Sequence, residues 1–210
     1  MSKAAEVQFA PRKTPLQARS MVSVEAIMQA TIQVLLKDGK SKLTTTRIAL
    51  RAGVSVGTLY QYFPNKSSLL QAILAEHLDA VAEAVETACE GAHGSSLAKM
   101  AEAITGSFVQ AKFRDIDTSI ALYAVSDEVE GKRVARSMHG RVTKAMATMF
   151  RTAPGKVMAE PDLVAATLLS AMAGVSRAML EKEVTRGTMA TMEVELTTMV
   201  RAYLRASRTS

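Results

Sequence analysis

Three histidines and one cysteine are among the side chains of this sequence that could hold a metal ion or act as a nucleophile. His77, His93 and His139 lie far apart along the chain, and none belongs to a His-Glu-x-x-His pattern. Cys89 is the single cysteine, which excludes an internal disulfide and a thiolate zinc cluster. It falls on the apolar side of a predicted helix, where a thiol is expected to be inert. We therefore expect no metal and no cofactor.

One short segment imitates part of a phosphate-binding loop. Gly39-Lys40-Ser41 matches the end of that motif, but Val34 stands where the motif requires its first glycine, and no strand precedes the segment. The Gly-x-Gly-x-x-Gly pattern of dinucleotide-binding proteins is missing from the sequence. These observations predict a protein that is not an enzyme.

Positive charge is concentrated in the first third of the chain. Residues 1–66 contain 10 Lys and Arg against 3 Asp and Glu, whereas residues 67–210 contain 16 against 17. The formal net charge of +6 therefore arises entirely before residue 67. A basic region of this kind favours a polyanionic partner, either nucleic acid or an anionic membrane surface, although a solvated basic face would have the same composition.

The elements that carry these charges are predicted to be helices, because apolar residues recur at helical spacing after residue 20. No stretch alternates with the period of two that is typical of strands. Residues 1–20 contain two prolines without such spacing and are predicted to form a flexible basic arm. The sequence predicts an all-α protein of about nine helices, the first capped by Ser23. They are expected over residues 23–38, 44–52, 55–63, 67–91, 97–113, 117–125, 128–152, 162–182 and 188–206.

Membrane insertion and export are not expected. The longest uncharged runs, at 52–65 and 163–176, have 14 residues, and a spanning helix needs about 20 apolar residues. The N-terminus reads MSKAAEVQFAPRK, without the apolar core of a signal peptide. We therefore expect a cytoplasmic protein.

Residues 44–63, TTTRIALRAGVSVGTLYQYF, predict two short helices joined by a tight turn at Gly53. This is a helix-turn-helix, in which Ala49 is small enough for the two helices to approach closely. The second helix is expected to expose side chains that are mostly small and uncharged, as suits a helix entering a DNA groove. These exposed residues are Val56, Gly57, Thr58, Gln61 and Tyr62.

The segment from Thr44 to Leu70, TTTRIALRAGVSVGTLYQYFPNKSSLL, resembles the DNA-binding domain of the TetR/AcrR family of bacterial transcriptional regulators. The resemblance covers roughly residues 20–74. It implies a helix-turn-helix domain over 21–66 and a helical ligand-binding and dimerisation domain over 67–210. It also implies a cytoplasmic homodimer, most often a repressor, that is released from a palindromic DNA operator by a small molecule.

The resemblance assigns DNA contacts within the motif. Gln61 suits hydrogen bonding to an adenine edge, and Val56 or Thr58 suits contact with a thymine methyl group. Gly57 would let the helix backbone approach the DNA closely. Tyr60, Tyr62 and Lys66 correspond to phosphate-contacting positions. Thr45, Thr46 and Arg47, at the start of the first motif helix, are expected to reach phosphates or base edges.

In the remainder of the chain the resemblance implies two further sites. The effector is expected to be apolar or aromatic, because the middle helices offer few polar side chains; the residues expected to line its pocket are Met100, Phe108, Phe113, Tyr123, Met138, His139 and Met146. The last two helices are expected to form the dimer interface through Leu168, Met172, Val175, Met179, Leu196, Met199 and Tyr203.

An enzyme and a helical bundle that binds a membrane surface or another protein are the two alternatives to a transcriptional regulator. The motifs described above disfavour the enzyme. The basic residues are scattered over three short helices and the arm, rather than along one amphipathic helix with large apolar side chains, which disfavours membrane binding.

Overall fold

The computed structural model describes residues 18–126, 131–155, 160–180 and 186–208. Within these ranges the chain forms nine α-helices and one 3₁₀ turn, with no β-strand, which confirms the all-α prediction. The 3₁₀ turn spans Lys40–Lys42. The helices are α1 (Ala18–Asp38), α2 (Thr45–Ala52), α3 (Val56–Tyr62), α4 (Lys66–Gly91), α5 (Leu97–Phe113), α6 (Ile116–Val125), α7 (Gly131–Arg151), α8 (Pro161–Leu180) and α9 (Arg186–Ala206).

The first helix begins earlier than its sequence spacing predicts. Since α1 starts at Ala18, Ser23 lies inside the helix, and its assignment as the N-cap is wrong. No proline or glycine lies between Pro15 and Ser23 to stop a helix there. The last three residues of the predicted arm are consequently helical, and residues 1–17 lie outside the described part of the chain.

The chain divides into two compact units. One contains residues up to Glu76 together with Ile120–Val134, and the other contains His77–Ser119 with the residues from Ala135 onward. The divisions fall inside α4, α6 and α7 rather than at the ends of helices.

In the first unit, α2 packs against both α1 and α3. Ile27 from α1, Ile48 from α2 and Leu59 from α3 are fully buried. Phe63, directly after α3, is buried as well. These buried side chains fix α2 against α1 and α3 against α2, and one side of α3 stays open to solvent.

In the second unit, α9 packs against α5 and α8. The buried side chains of this core include Met100, Phe108 and Leu168. Two polar contacts join α5 to α9: the hydroxyl groups of Thr105 and Thr197 lie 2.7 Å apart, and Arg201 forms an ion pair with Glu102.

Among the described residues, α8 is the one helix whose length and apolar composition would suit a membrane span. Of its most apolar window, 39% is buried inside the protein, and core helices of soluble proteins have the same composition. Its buried side chains, which include Leu168 and Met172, follow one side of the helix at helical spacing. We therefore treat α8 as a packing helix.

Candidate nucleic-acid interface

The turn between α2 and α3 has the geometry that its sequence predicts. Thr44 caps α2, because its hydroxyl oxygen accepts a hydrogen bond from the backbone N–H of Arg47 at 3.3 Å. Gly53 ends α2 in the left-handed conformation, with φ 68° and ψ 28°, which favours glycine. The backbone N–H of Val54 then donates to the carbonyl of Ala49 at 3.0 Å and closes the turn.

Ser55 begins α3 by accepting a hydrogen bond from the backbone N–H of Thr58 at 2.9 Å. The two hydroxyl oxygens of Ser55 and Thr58 also lie 2.8 Å apart, so the hydroxyl of Thr58 already has a partner in the free protein. Residues 53–57 spell Gly-x-Ser-x-Gly, the pattern around a hydrolase nucleophile. That nucleophile follows a strand, whereas Ser55 follows α2 and serves as a helix cap.

Contrary to the sequence expectation, Tyr62 is buried, with 9% of its surface exposed. Leu59, Tyr62 and Phe63 are spaced three and four residues apart, which places them on the same inward side of α3. The aromatic residue that α3 exposes is instead Tyr60, at 41%. Its hydroxyl lies 3.2 Å from that of Thr45, at the start of α2.

The open side of α3 therefore carries Gly57, Tyr60 and Gln61, with Val56 and Thr58 half-buried beside them. We call these five residues, together with Thr45 and Thr46 of α2, the recognition surface. They contain no ionisable carboxylate or cation, so the recognition surface is polar and uncharged.

Packing within the protein does not require glycine at position 57. A Cβ atom built there would meet only the hydroxyl oxygen of Ser55, at 3.6 Å, which is an ordinary van der Waals distance. Glycine inside a helix is unfavourable compared with alanine. Packing within the protein therefore does not explain the residue type.

Cationic side chains lie on α2 and at the start of α4. Arg47 is exposed and forms a 3.1 Å ion pair with Asp38. Arg51 donates from Nε to the Gln33 side-chain oxygen at 2.7 Å. Lys66 is half-buried at the first position of α4, where a positive charge is unfavourable to the helix dipole. The sequence alone does not single out Arg51, because its partner is 18 positions away.

The residues predicted to line an effector pocket differ in burial. Met100, Phe108, Phe113 and Met146 are buried in the second unit. Met138 and His139 are half-buried on α7, and Tyr123 is half-buried in the first unit. The four buried side chains fit the core of the second unit as well as they fit a pocket.

The residues predicted to form the dimer interface also divide into two groups. Leu168, Met172 and Leu196 have at most 2% of their surfaces exposed and are core residues of the protomer, which corrects their assignment. Val175 and Tyr203 are exposed, and Met179 and Met199 are half-buried. The sequence analysis missed the exposed apolar residues Leu163 and Val194.

Burial strongly shifts the pKa values of several groups in the second unit, among them Cys89 and His77. Burial raises the pKa of Cys89 to about 12, with further contributions from Glu86 and Glu90, so the thiol stays protonated. Burial lowers the pKa of His77 to about 4, helped by the positive charge of Lys112. His77 is therefore neutral near pH 7. Across the described ranges, no group of three or more His, Cys, Asp or Glu side chains is placed to hold a metal ion.

Two family descriptions match this chain. Residues 27–73 match the bacterial regulatory proteins of the tetR family, and residues 96–204 match the tetracyclin repressor-like C-terminal domain. The first match contains α2, α3 and the turn between them, and the second contains α5 through most of α9.

Curated relatives are similar over about a quarter of this chain. The nucleoid occlusion factor SlmA of Actinobacillus pleuropneumoniae is 39% identical over 57 residues, which are 25% of this chain and 28% of that protein. The HTH-type transcriptional repressor KstR of Rhodococcus jostii is 40% identical over 55 residues, or 26% of each chain. The similarity therefore spans about a quarter of the length of these relatives.

Solved structures are similar over nearly the whole chain. A transcriptional regulator from Cytophaga hutchinsonii has a TM-score of 0.67 and 16% identity, covering 89% of this chain and 98% of its own. A TetR family transcription regulator from Marinobacter aquaeolei has a TM-score of 0.64 and 17% identity, covering 88% and 96%. At these identities the likeness concerns the fold.

Proposed function

Because the chain belongs to the tetR family of bacterial regulatory proteins, a family of transcriptional regulators and not of enzymes, we propose that it represses transcription by binding a palindromic operator. The observation that carries this proposal is the open side of α3, on which Gly57, Tyr60 and Gln61 are exposed while Leu59 and Phe63 anchor the helix from behind. A helix that is anchored on one side and uncharged on the other fits the major groove.

Contacts to bases and to phosphates fall to different residues. Gln61 has the two hydrogen-bonding groups that read an adenine edge, and the methyl group of Thr58 suits a thymine. The hydroxyl of Tyr60 and the ammonium group of Lys66 serve phosphates, which orient the protein without specifying sequence. Arg47 would pair with a phosphate in place of its ion pair with Asp38. Thr45 and Thr46 extend the contacts from α2, whereas buried Tyr62 supports the helix from inside.

A palindrome requires two copies of α3, about 34–36 Å apart. The proposed interface uses the exposed sides of α8 and α9, on which Leu163, Val175, Val194 and Tyr203 leave apolar surface open in the protomer. Half-buried Met179 and Met199 lie on the same two helices. Burial of these groups against a second copy would remove apolar surface from water.

Release of the operator would follow the binding of an apolar or aromatic molecule to the second unit. Such an effector acts only if it binds more tightly to a state in which the two copies of α3 are misplaced. The size of the response is set by this difference in affinity. A cytoplasmic location follows from this function, since the operator is there.

The proposal is tested by selecting bound sequences from a random duplex pool, followed by anisotropy titration of the enriched duplex at several salt concentrations. We expect an enriched palindrome and binding that weakens steeply with salt. Lys66→Gln should reduce the slope of log affinity against log salt by roughly 0.9 for each phosphate that the variant no longer neutralises. Lys99→Gln, an exposed lysine of α5, is the matched control and should leave the slope unchanged.

Two results would contradict the proposal. One is a pool without an enriched palindrome, both with and without added metabolite extract. The other is equal binding of all duplexes by the wild type and by Gln61→Ala, which would mean that α3 does not read bases.

A further inference from the structure

A lysine in the second unit lies half-buried without a counter-charge. Lys112 occupies the last turn of α5, next to buried Phe113. Within the described part of the chain, its ammonium group forms no ion pair and no hydrogen bond. Burial lowers the pKa of Lys112 to about 8, so the group is still mostly charged at neutral pH.

The polar groups around Lys112 do not neutralise it. Ser119, which is almost fully buried, donates its hydroxyl hydrogen to the backbone carbonyl of Lys112 at 2.6 Å. The 3.2 Å contact between Ser119 Oγ and His77 Nε2 must then use the Nε2–H of His77 as the donor. This assigns His77 as the neutral Nε2–H tautomer. The pair fixes the backbone at Lys112 but supplies no negative charge.

The carboxylate of Asp115, whose charge acts on the pKa of His77, is already hydrogen-bonded to Thr118. Partial burial alone would raise the pKa of Asp115, but hydrogen bonds from Thr118 lower it overall. Its two carboxylate oxygens accept from the backbone N–H and the hydroxyl of Thr118, at 2.9 and 2.6 Å. Arg114 adds a further positive charge near His77. The cluster therefore has an excess of positive charge beside apolar side chains.

We propose that Lys112 is the anion-binding residue of the effector site, and that the effector is a carboxylic acid with an apolar body. A partly buried charge without a counter-charge is stabilised by pairing, and a ligand carboxylate would supply that partner. Phe108, one helical turn before Lys112, and Phe113, directly after it, are buried apolar neighbours on the same helix. This inference rests on the proposed function and adds the chemical class of the effector to it.

The test uses calorimetric titration of the full-length protein, without DNA, with two pairs of probes. Octanoate is compared with 1-octanol, and 1-naphthoate with 1-naphthalenemethanol, so that aliphatic and aromatic acids are distinguished. We expect one acid to bind at least about tenfold more tightly than its alcohol, which is the range of a charge-assisted hydrogen bond. Lys112→Met should remove this preference, whereas Lys112→Arg should retain most of it.

Lys99→Met, on the exposed side of the same helix, controls for the loss of a lysine. Thermal melting checks folding, and Lys112→Met should melt no lower than the wild type, since it removes a desolvated charge. The inference is overturned if Lys112→Met binds the acid as the wild type does, if each alcohol binds as well as its acid, or if neither acid binds. Operator binding is measured separately, so acid binding without DNA binding would refute the proposed function alone, and DNA binding without acid binding would refute this inference alone.

Discussion

A substitution at Gly57 should change the stability of α3 and its proposed contact with DNA in opposite directions. An alanine at this position has room for its Cβ atom and should raise the free energy of unfolding by up to about 1 kcal/mol. The same methyl group would stand between the helix backbone and the groove. We therefore expect Gly57→Ala to melt at a higher temperature and to bind the operator more weakly, as measured by thermal melting and anisotropy.

Gly140→Ala is the matched control, because Gly140 lies within α7 and no atom lies within 4 Å of a Cβ built there. It should increase stability without altering operator affinity. Unchanged DNA binding by Gly57→Ala would show that the backbone of α3 does not approach DNA at this point.

His77 should make the protein less stable as the pH falls. Its pKa is about 4 in the folded chain and 6.5 as a free side chain, so the unfolded chain binds the proton first. The contribution of neutral His77 to the free energy of unfolding is therefore fully present above about pH 6.5. It is lost as the pH falls toward 4, which lowers the free energy of unfolding by up to about 3 kcal/mol. Urea titrations at several pH values should show this loss in the wild type and less of it in His77→Gln. His93→Gln, at an exposed histidine, should behave as the wild type; an equal pH dependence in all three proteins would contradict the assignment.

At the scale of the element, the cap at Ser55 holds the start of α3. Ser55→Ala should lower the free energy of unfolding by about 1 kcal/mol, because the backbone N–H of Thr58 loses its acceptor. Ser55→Asp should restore that stability, since aspartate is a good N-cap. It should nevertheless weaken operator binding, because it brings a carboxylate to the DNA-facing side. A Ser55→Asp protein that binds the operator as the wild type does would place α3 away from the phosphates.

The sequence predicted where α2 and α3 begin and turn better than it predicted which side of α8 is buried. The turn at Gly53 and the starts of α2 and α3 depend on neighbouring residues, so the local sequence was enough to predict them. The inward position of Leu168 was not predictable, because α8 has apolar residues on more than one side. The hydroxyl pair of Thr45 and Tyr60 joins two helices, and only their tertiary packing brings it together.

At the scale of the whole molecule, the proposed dimer should depend on residues that the protomer leaves exposed. Val194→Glu places a charge on the open side of α9, where 64% of the valine surface is exposed. We expect a monomer by light scattering, and operator affinity lower by about a hundredfold or more, because two linked contacts become one. Gln110→Glu, on the exposed side of α5, is the control. A Val194→Glu protein that remains a dimer would exclude this part of α9 from the interface.

The capped and anchored state of α3 also determines how binding should respond to temperature. Both ends of the helix are fixed before any DNA arrives, by Ser55 at the start and by the N–H of buried Phe63, which donates to the carbonyl of Leu59, at the end. Association then involves no coil-to-helix transition of this segment. The heat capacity change of binding should therefore be no larger than the surface buried between two preformed bodies requires.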